Sequence, residues 1–224
     1  MAATPWRVAR PVELAMPHLV LLGDSIFDNA SYVPPGCAVI DQLTASLPEG
    51  WTTTLRAVDG ALVADVHQQI DRLPHDATHV IVSCGGNNAL DHLLMVAQPV
   101  RTVGEALLLF DGVRQRFSLQ YDALLSRLLD TGCALAVCTV YDTVPGMDGG
   151  MLAALSMFNE LILRCAIGRS IPLLDLRLVF EARSDYSEVS PIEPSAAGGA
   201  KLVHAIVRML REHDFAIGRS VVYV

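Results

Sequence analysis

The sequence predicts an α/β fold: a parallel sheet of about five strands in flavodoxin-like order, with helices on both faces. Three observations lead there. Short apolar runs, Leu19–Leu22, Thr78–Cys84 and Cys133–Val140, each end in a glycine or polar turn, as fully buried strands do. Between them lie segments whose apolar residues recur at helical spacing. The alternation of strand and helix repeats about five times along 224 residues, with no internal repeat, low-complexity tract or linker. Residues 1–224 therefore read as a single domain.

In chain order, Leu19–Leu22 runs into Gly23-Asp24-Ser25 and a polar loop to Gly36. A helix is expected over Cys37–Leu47, stopped at Pro48-Glu-Gly50. Trp51–Val58 alternates threonine with larger residues and predicts a strand ending at Asp59-Gly60. Leu62, Val66, Ile70 and Leu73 mark the next helix, and Thr78–Cys84 the next strand, closed by Gly85-Gly86-Asn87-Asn88. A long segment to Asp130 follows. In its second half Phe110, Val113, Phe117, Tyr121, Leu124 and Leu128 form one stripe. Cys133–Val140 predicts a strand, Met151–Ile167 a helix and Pro172–Leu176 a short strand. Glu181–Gly199 reads as a long polar loop, Lys201–Arg211 as the last helix, and Phe215–Val224 as a terminal strand.

Composition limits the function. The net charge is −8 with no basic cluster, so the positive field that neutralises nucleic-acid phosphates is missing. A neutral or weakly charged small molecule is the simpler partner. The five cysteines are odd in number and form no Cys-x-x-Cys pair, which points to reduced core thiols and a reducing compartment. Met1–Pro17 contains no continuous apolar stretch like a signal core, and no segment approaches the roughly 20 apolar residues of a membrane span. The expectation is a cytoplasmic protein without a membrane partner; the oligomeric state is open. No phosphate loop, dinucleotide fingerprint, His-Glu-x-x-His site or Gly-x-Ser-x-Gly elbow occurs, so no cofactor is expected.

What remains is a set of strand ends. In a parallel sheet the carboxyl ends of the strands lie on one edge, where ligands bind. Ser25, Gly60 and Asn87 all follow strands and gather there. A serine attacking an ester needs donors aimed at the developing oxyanion. The N–H groups of Ser25 and Gly60 and the Asn87 amide are donors of the right kind.

These blocks, Gly23-Asp24-Ser25, Gly60 and Gly85-Gly86-Asn87, resemble those of the SGNH hydrolases, also called the GDSL esterase and lipase superfamily, in order and spacing over most of the chain. The resemblance implies a three-layer α/β/α sandwich, Ser25 as nucleophile, and an oxyanion hole of Ser25 N–H, Gly60 N–H and the Asn87 side chain. Two departures stand out. Asn88 replaces an aspartate common in the third block. In the last block, where the family has Asp-x-x-His, this chain reads Ser190-Pro191-Ile192-Glu193, followed by the expected Pro-Ser-x-x-Gly-Gly frame. The general base and its orienter are both missing, and Glu193 occupies the histidine's position.

The resulting expectation is a serine hydrolase of small carboxylic esters with Glu193 as an atypical base, tuned or oriented by Asp185. Two other readings stay open: an inactive binder of an acyl or carbohydrate ligand, and an acyltransferase. Plainer roles also stand. Ser25 suits a turn, Asn87 a helix N-cap, and Glu193 an exposed loop carboxylate. His92 follows the Asn87 turn and could reach the site, and His204 lies on the last helix beyond the late loop; the plainer reading of each is a surface histidine.

Overall fold

The computed structural model describes residues 16–224; the N-terminal segment on which the signal-peptide reading rests lies almost wholly outside them. The first strand, β1 (His18–Gly23), is buried along its whole length. It is followed by α1 (Val39–Ser46), β2 (Thr52–Leu55), α2 (Val63–Ile70), β3 (His79–Ser83) and the one-turn α3 (Gly86–Leu90). Then come α4 (Val103–Asp130), β4 (Ala134–Cys138), α5 (Gly149–Gly168), β5 (Leu173–Leu174), α6 (Leu176–Val179), α7 (Ala196–Glu212) and β6 (Val222–Tyr223). All pairings are parallel and the order is β2-β1-β3-β4-β5-β6, the flavodoxin-like order with one strand more than expected.

Two cores flank this sheet, because successive strand residues point to opposite faces. Val20 and Leu22 of β1 meet α2, α4 and α5 through Val66, Phe117, Tyr121 and Phe158. Leu19 and Leu21 meet α1 and α7 through Val39, Leu43, Leu202 and Ile206. The result is three layers, α/β/α.

Several elements differ from their predicted extents for physical reasons. β2 stops at Leu55, where the N–H groups of Arg56 and Ala57 both turn to the Leu21 carbonyl and that of Val58 to Gly23. The long middle segment is divided. Gln98-Pro99 break it, and α4 starts afresh at Val103 with Thr102 as its cap, the side chain accepting from Glu105 N–H at 3.1 Å. α7 begins five residues before Lys201, capped by Ser195, whose hydroxyl accepts from Gly198 N–H at 3.1 Å. Against the expectation of no membrane-length segment, α5 is long and apolar enough to cross a membrane by length and composition. It is instead a core helix with an apolar outer side: Leu155, Phe158, Leu161, Ile162, Cys165 and Ala166 are buried. All five cysteines are unbonded.

Candidate active site

Ser25 owes its position to the close approach of β1 and β3. Gly23 ends β1 with φ +124°, and a Cβ there would stand 1.7 Å from the Ser83 carbonyl oxygen. Only glycine lets the chain turn so tightly against its neighbour strand. Asp24 N–H then bonds the same carbonyl at 3.1 Å, and Phe27 and Asp28 N–H bond back to the Asp24 carbonyl. Ser25 is the first residue inside this turn and is 7 % exposed. Its N–H donates to no backbone or side-chain acceptor among the described residues, which leaves it free for a ligand.

Of the two further donors expected, Asn87 shares a cavity with Ser25 and Gly60 does not. Gly60 lies in an exposed left-handed turn, φ +78°, and its N–H is likewise without an acceptor. Asn87 is inside α3, whose cap is Gly85, so it is not the N-cap that the sequence allows. One N–H of its amide bonds the Ala61 carbonyl at 3.1 Å, which ties the Gly60 turn to α3 and leaves the second N–H over. Asn88 reinforces the tie by accepting from Val63 N–H at 3.0 Å, at the start of α2.

Glu193 reaches the site from the late loop, and it is not the exposed carboxylate that loop composition suggests. It is 4 % exposed, and Oε2 is buried with no hydrogen-bond partner. Burial raises its pKa above the usual glutamate value, and the Asp59 charge raises it further; the adjacent Ser25 hydroxyl opposes them as a hydrogen-bonding neighbour. The loop is held by bonds crossing to the segment after Ser25. Asn29 Nδ2 donates to the Pro194 carbonyl at 3.2 Å, Gln42 Nε2 to Ala196 at 3.1 Å, and Ser187 Oγ to Tyr32 at 2.6 Å. Tyr141 Oη donates to the Ile192 carbonyl from the other side.

Asp185 does not fill the orienting role expected of it. Its Oδ2 accepts from Glu181 and Ala182 N–H, each at 2.9 Å, and from Lys201 Nζ at 2.8 Å. No hydrogen bond joins its carboxylate to Glu193. Burial would raise its pKa, but the Lys201 bond and the two N–H groups outweigh that and lower it. Asp185 acts through the backbone, where its carbonyl accepts from Ser195 N–H at 2.9 Å. The Gly-Gly frame has a packing reason: a Cβ on Gly198 would come within 2.1 Å of that same Asp185 carbonyl oxygen. Helix and loop can touch only because residue 198 has no side chain.

Ser25, Asn87 and Glu193 line one cavity of about 220 Å³, walled otherwise by apolar groups including Phe110, Val113, Val140, Met147, Leu155 and Phe158. Gly60 lies outside it, in a separate polar hollow between β2 and α2, and is linked to the cavity only through the bond of Asn87 to the Ala61 carbonyl. Of the seven histidines only His92 lines the cavity; His204 is exposed on α7. Among the described residues no group of three His, Cys, Asp or Glu side chains could hold a metal ion.

Sequence reasoning passed over Asp24, which also lines the cavity and is 2 % exposed. Burial, with the Glu193 and Asp59 charges, pushes its pKa up to about 7, against the opposing pull of Ile26 N–H at 3.2 Å. A carboxylate directly before the candidate nucleophile was the available signal. The charges acting on Asp24 and Glu193 are all acidic.

A doubly wound parallel sheet with a serine at the end of its first strand, and free amide donors beside it, is the architecture of a GDSL-type carboxylic ester hydrolase. The chain belongs to the GDSL-like lipase/acylhydrolase family, whose pattern it matches over residues 21–201. No curated protein matches it. Among solved structures it is similar to a member of the lipolytic protein G-D-S-L family from Veillonella parvula (TM-score 0.65, 16 % identity, 88 % of this chain and 99 % of that one). It is similar to LAE5, an alpha/beta hydrolase enzyme from the metagenome of Lake Arreo, Spain (TM-score 0.65, 19 %, 87 % and 94 %). A third likeness is to the extracellular lipase of Streptomyces rimosus (TM-score 0.60, 17 %, 88 % and 100 %). At these identities the likeness is one of fold.

Proposed function

We propose that the protein hydrolyses carboxylic esters through an acyl-serine intermediate, with Glu193 in place of a histidine base. The observation that carries this reading is the buried, unpartnered Oε2 of Glu193 in the same cavity as the Ser25 hydroxyl. A carboxylate oxygen left without a partner in a side chain only 4 % exposed is costly, and a reacting proton is a reason to keep it so.

Ser25 Oγ attacks the ester carbonyl while Glu193 takes its proton. The carbonyl π pair moves to oxygen, and the anion is held by Ser25 N–H, Gly60 N–H and the Asn87 amide. Collapse expels the alcohol, which recovers the proton from Glu193. Water then attacks the acyl-serine, giving its proton to Glu193, and the acid leaves as Ser25 Oγ is reprotonated. The raised pKa of Glu193 suits it for this work, since an ordinary carboxylate is too weak a base for a hydroxyl. The two oxyanion N–H groups have no competing acceptor, which supports the same reading.

A second reading has one observation in its favour: His92 lines the cavity and is a base of the usual type. If it serves, Glu193 only shapes the pocket. The function itself is tested by Ser25→Ala with p-nitrophenyl acetate. Turnover is expected to fall on the order of 10⁴-fold or more, with the melting temperature unchanged because no core cavity forms. Equal hydrolysis by variant and parent would remove Ser25 from the reaction.

A further inference from the structure

α4 is built in two unlike halves. From Val113 onward its inward stripe is buried; before Val113 no residue is. Yet the apolar face does not stop there. Val103, Leu107, Phe110 and Val113 follow one another at spacings of four, three and three, so they share a helix face. Val113 and Phe110 line the cavity that holds Ser25. Leu107 and Val103 continue the same face outward and are 64 % and 77 % exposed. The cavity's rim is apolar too: Leu90, Leu93 and Ile192 line it and are 41 %, 38 % and 37 % exposed. Leu94, at 84 %, stands beside them.

We infer that this collar, the outer face of α4 with the segment Leu90–Leu94, docks the enzyme on the surface of aggregated uncharged lipid and passes an ester from it into the cavity. The inference rests on reading the cavity as the ester site. Scattered leucines on a surface mean nothing, but a patch continuous with a cavity wall marks an interaction site. The occupant follows from position and charge. A second copy seated on this rim would cover the entrance to Ser25, whereas a lipid surface is itself the source of what enters. The ion pairs on this stretch, Arg101–Glu105 and Arg114–Asp111, are internally neutral, and Asp91 within the segment Leu90–Leu94 is acidic. The whole chain carries −8, so an anionic bilayer would repel it and an uncharged one would not.

The test is sedimentation of the protein with phosphatidylcholine vesicles, for the parent and for Val103→Glu/Leu107→Glu. Both positions are exposed and outside the cavity lining, so folding and hydrolysis of soluble p-nitrophenyl acetate are expected to stay as in the parent. Vesicle binding is expected to fall on the order of tenfold or more, since two charges replace apolar side chains at the contact. A parent that does not sediment, or a variant that binds as well as the parent, overturns the inference. So does a parent that is a dimer by light scattering while the variant is a monomer, for then the face covers a second copy. If vesicles bind and depend on these residues but no ester is cleaved, the docking surface stands and the hydrolase reading falls.

Discussion

The two sides of the cavity are built differently. On one side Ser25 stands directly on β1, a strand buried along its length, one turn from a glycine that allows no substitution. On the other side Glu193 stands on a loop with a single antiparallel bridge, Tyr186 to Pro194. The sheet holds the first side through its ladder of backbone bonds. The second depends on separate tethers to other parts of the chain: Asn29, Gln42, Tyr32 through Ser187, Tyr141, and Lys201 through Asp185. The position of Ser25 is thus a property of the fold, and that of the Glu193 carboxylate a property of particular side chains. Active sites that must hold a strained or uncompensated group spread its cost over such contacts.

The largest effect is expected at the loop's tip. Glu193→Gln keeps the shape and the tethers and removes the proton acceptor, so kcat is expected to fall on the order of 10²–10⁴-fold. In the parent, activity should rise with pH as Glu193 loses its proton. The midpoint should lie above the ordinary carboxylate value, because burial raises the folded-state pKa. Steady-state rates against p-nitrophenyl acetate from pH 4 to 9 measure both. On the rigid side, Asn87→Ala should lower kcat on the order of 10²–10³-fold with little change in KM, since its donor acts on the transition state. A change confined to KM would make Asn87 a clamp on the Gly60 turn.

The smallest expected effect concerns Asp24, where the two sides meet. Its folded pKa of about 7 lies above the usual 3.8, so the native state keeps a proton that the unfolded chain releases. The stability it contributes is complete below the unfolded pKa and is lost as pH rises through about 7. Asp24→Asn cannot lose that proton. Thermal melts at pH 5 and pH 8 should show a smaller drop for the variant than for the parent, worth about 1–4 kcal/mol at pH 8. An equal drop would mean that Asp24 is charged throughout and compensated by some other group.

The same contrast decides what could be read from the sequence. β1, β3 and β4 were legible because fully buried strands are apolar without interruption and their glycine ends are local signals. Ser25 and Asn87 follow the ends of β1 and β3 into one cavity, whereas Gly60 lies beyond the end of β2 and outside that cavity. The edge strand β2 was overextended because its alternation continues past Leu55, while the pairing fails where Arg56 and Ala57 share one carbonyl. The late loop was legible only as a frame. Gly198 was noticed as part of a pattern, but its reason, contact with the Asp185 carbonyl, is tertiary. Asp185 was close in sequence to Glu193 and suggested an orienter; its actual partner, Lys201, lies on the next helix. The exposed start of α4 could not be separated from its buried end, since leucines spell both.

In the proposed mechanism Glu193, and no histidine, activates Ser25. A fluorophosphonate probe reacts with an activated serine without needing the right substrate, so its labelling rate isolates that step. The parent should be labelled on Ser25. Glu193→Gln should be labelled on the order of 10²-fold more slowly, and His92→Ala at the parent's rate. Labelling of Glu193→Gln as fast as the parent, with His92→Ala inert, would take the base away from Glu193 and give it to His92.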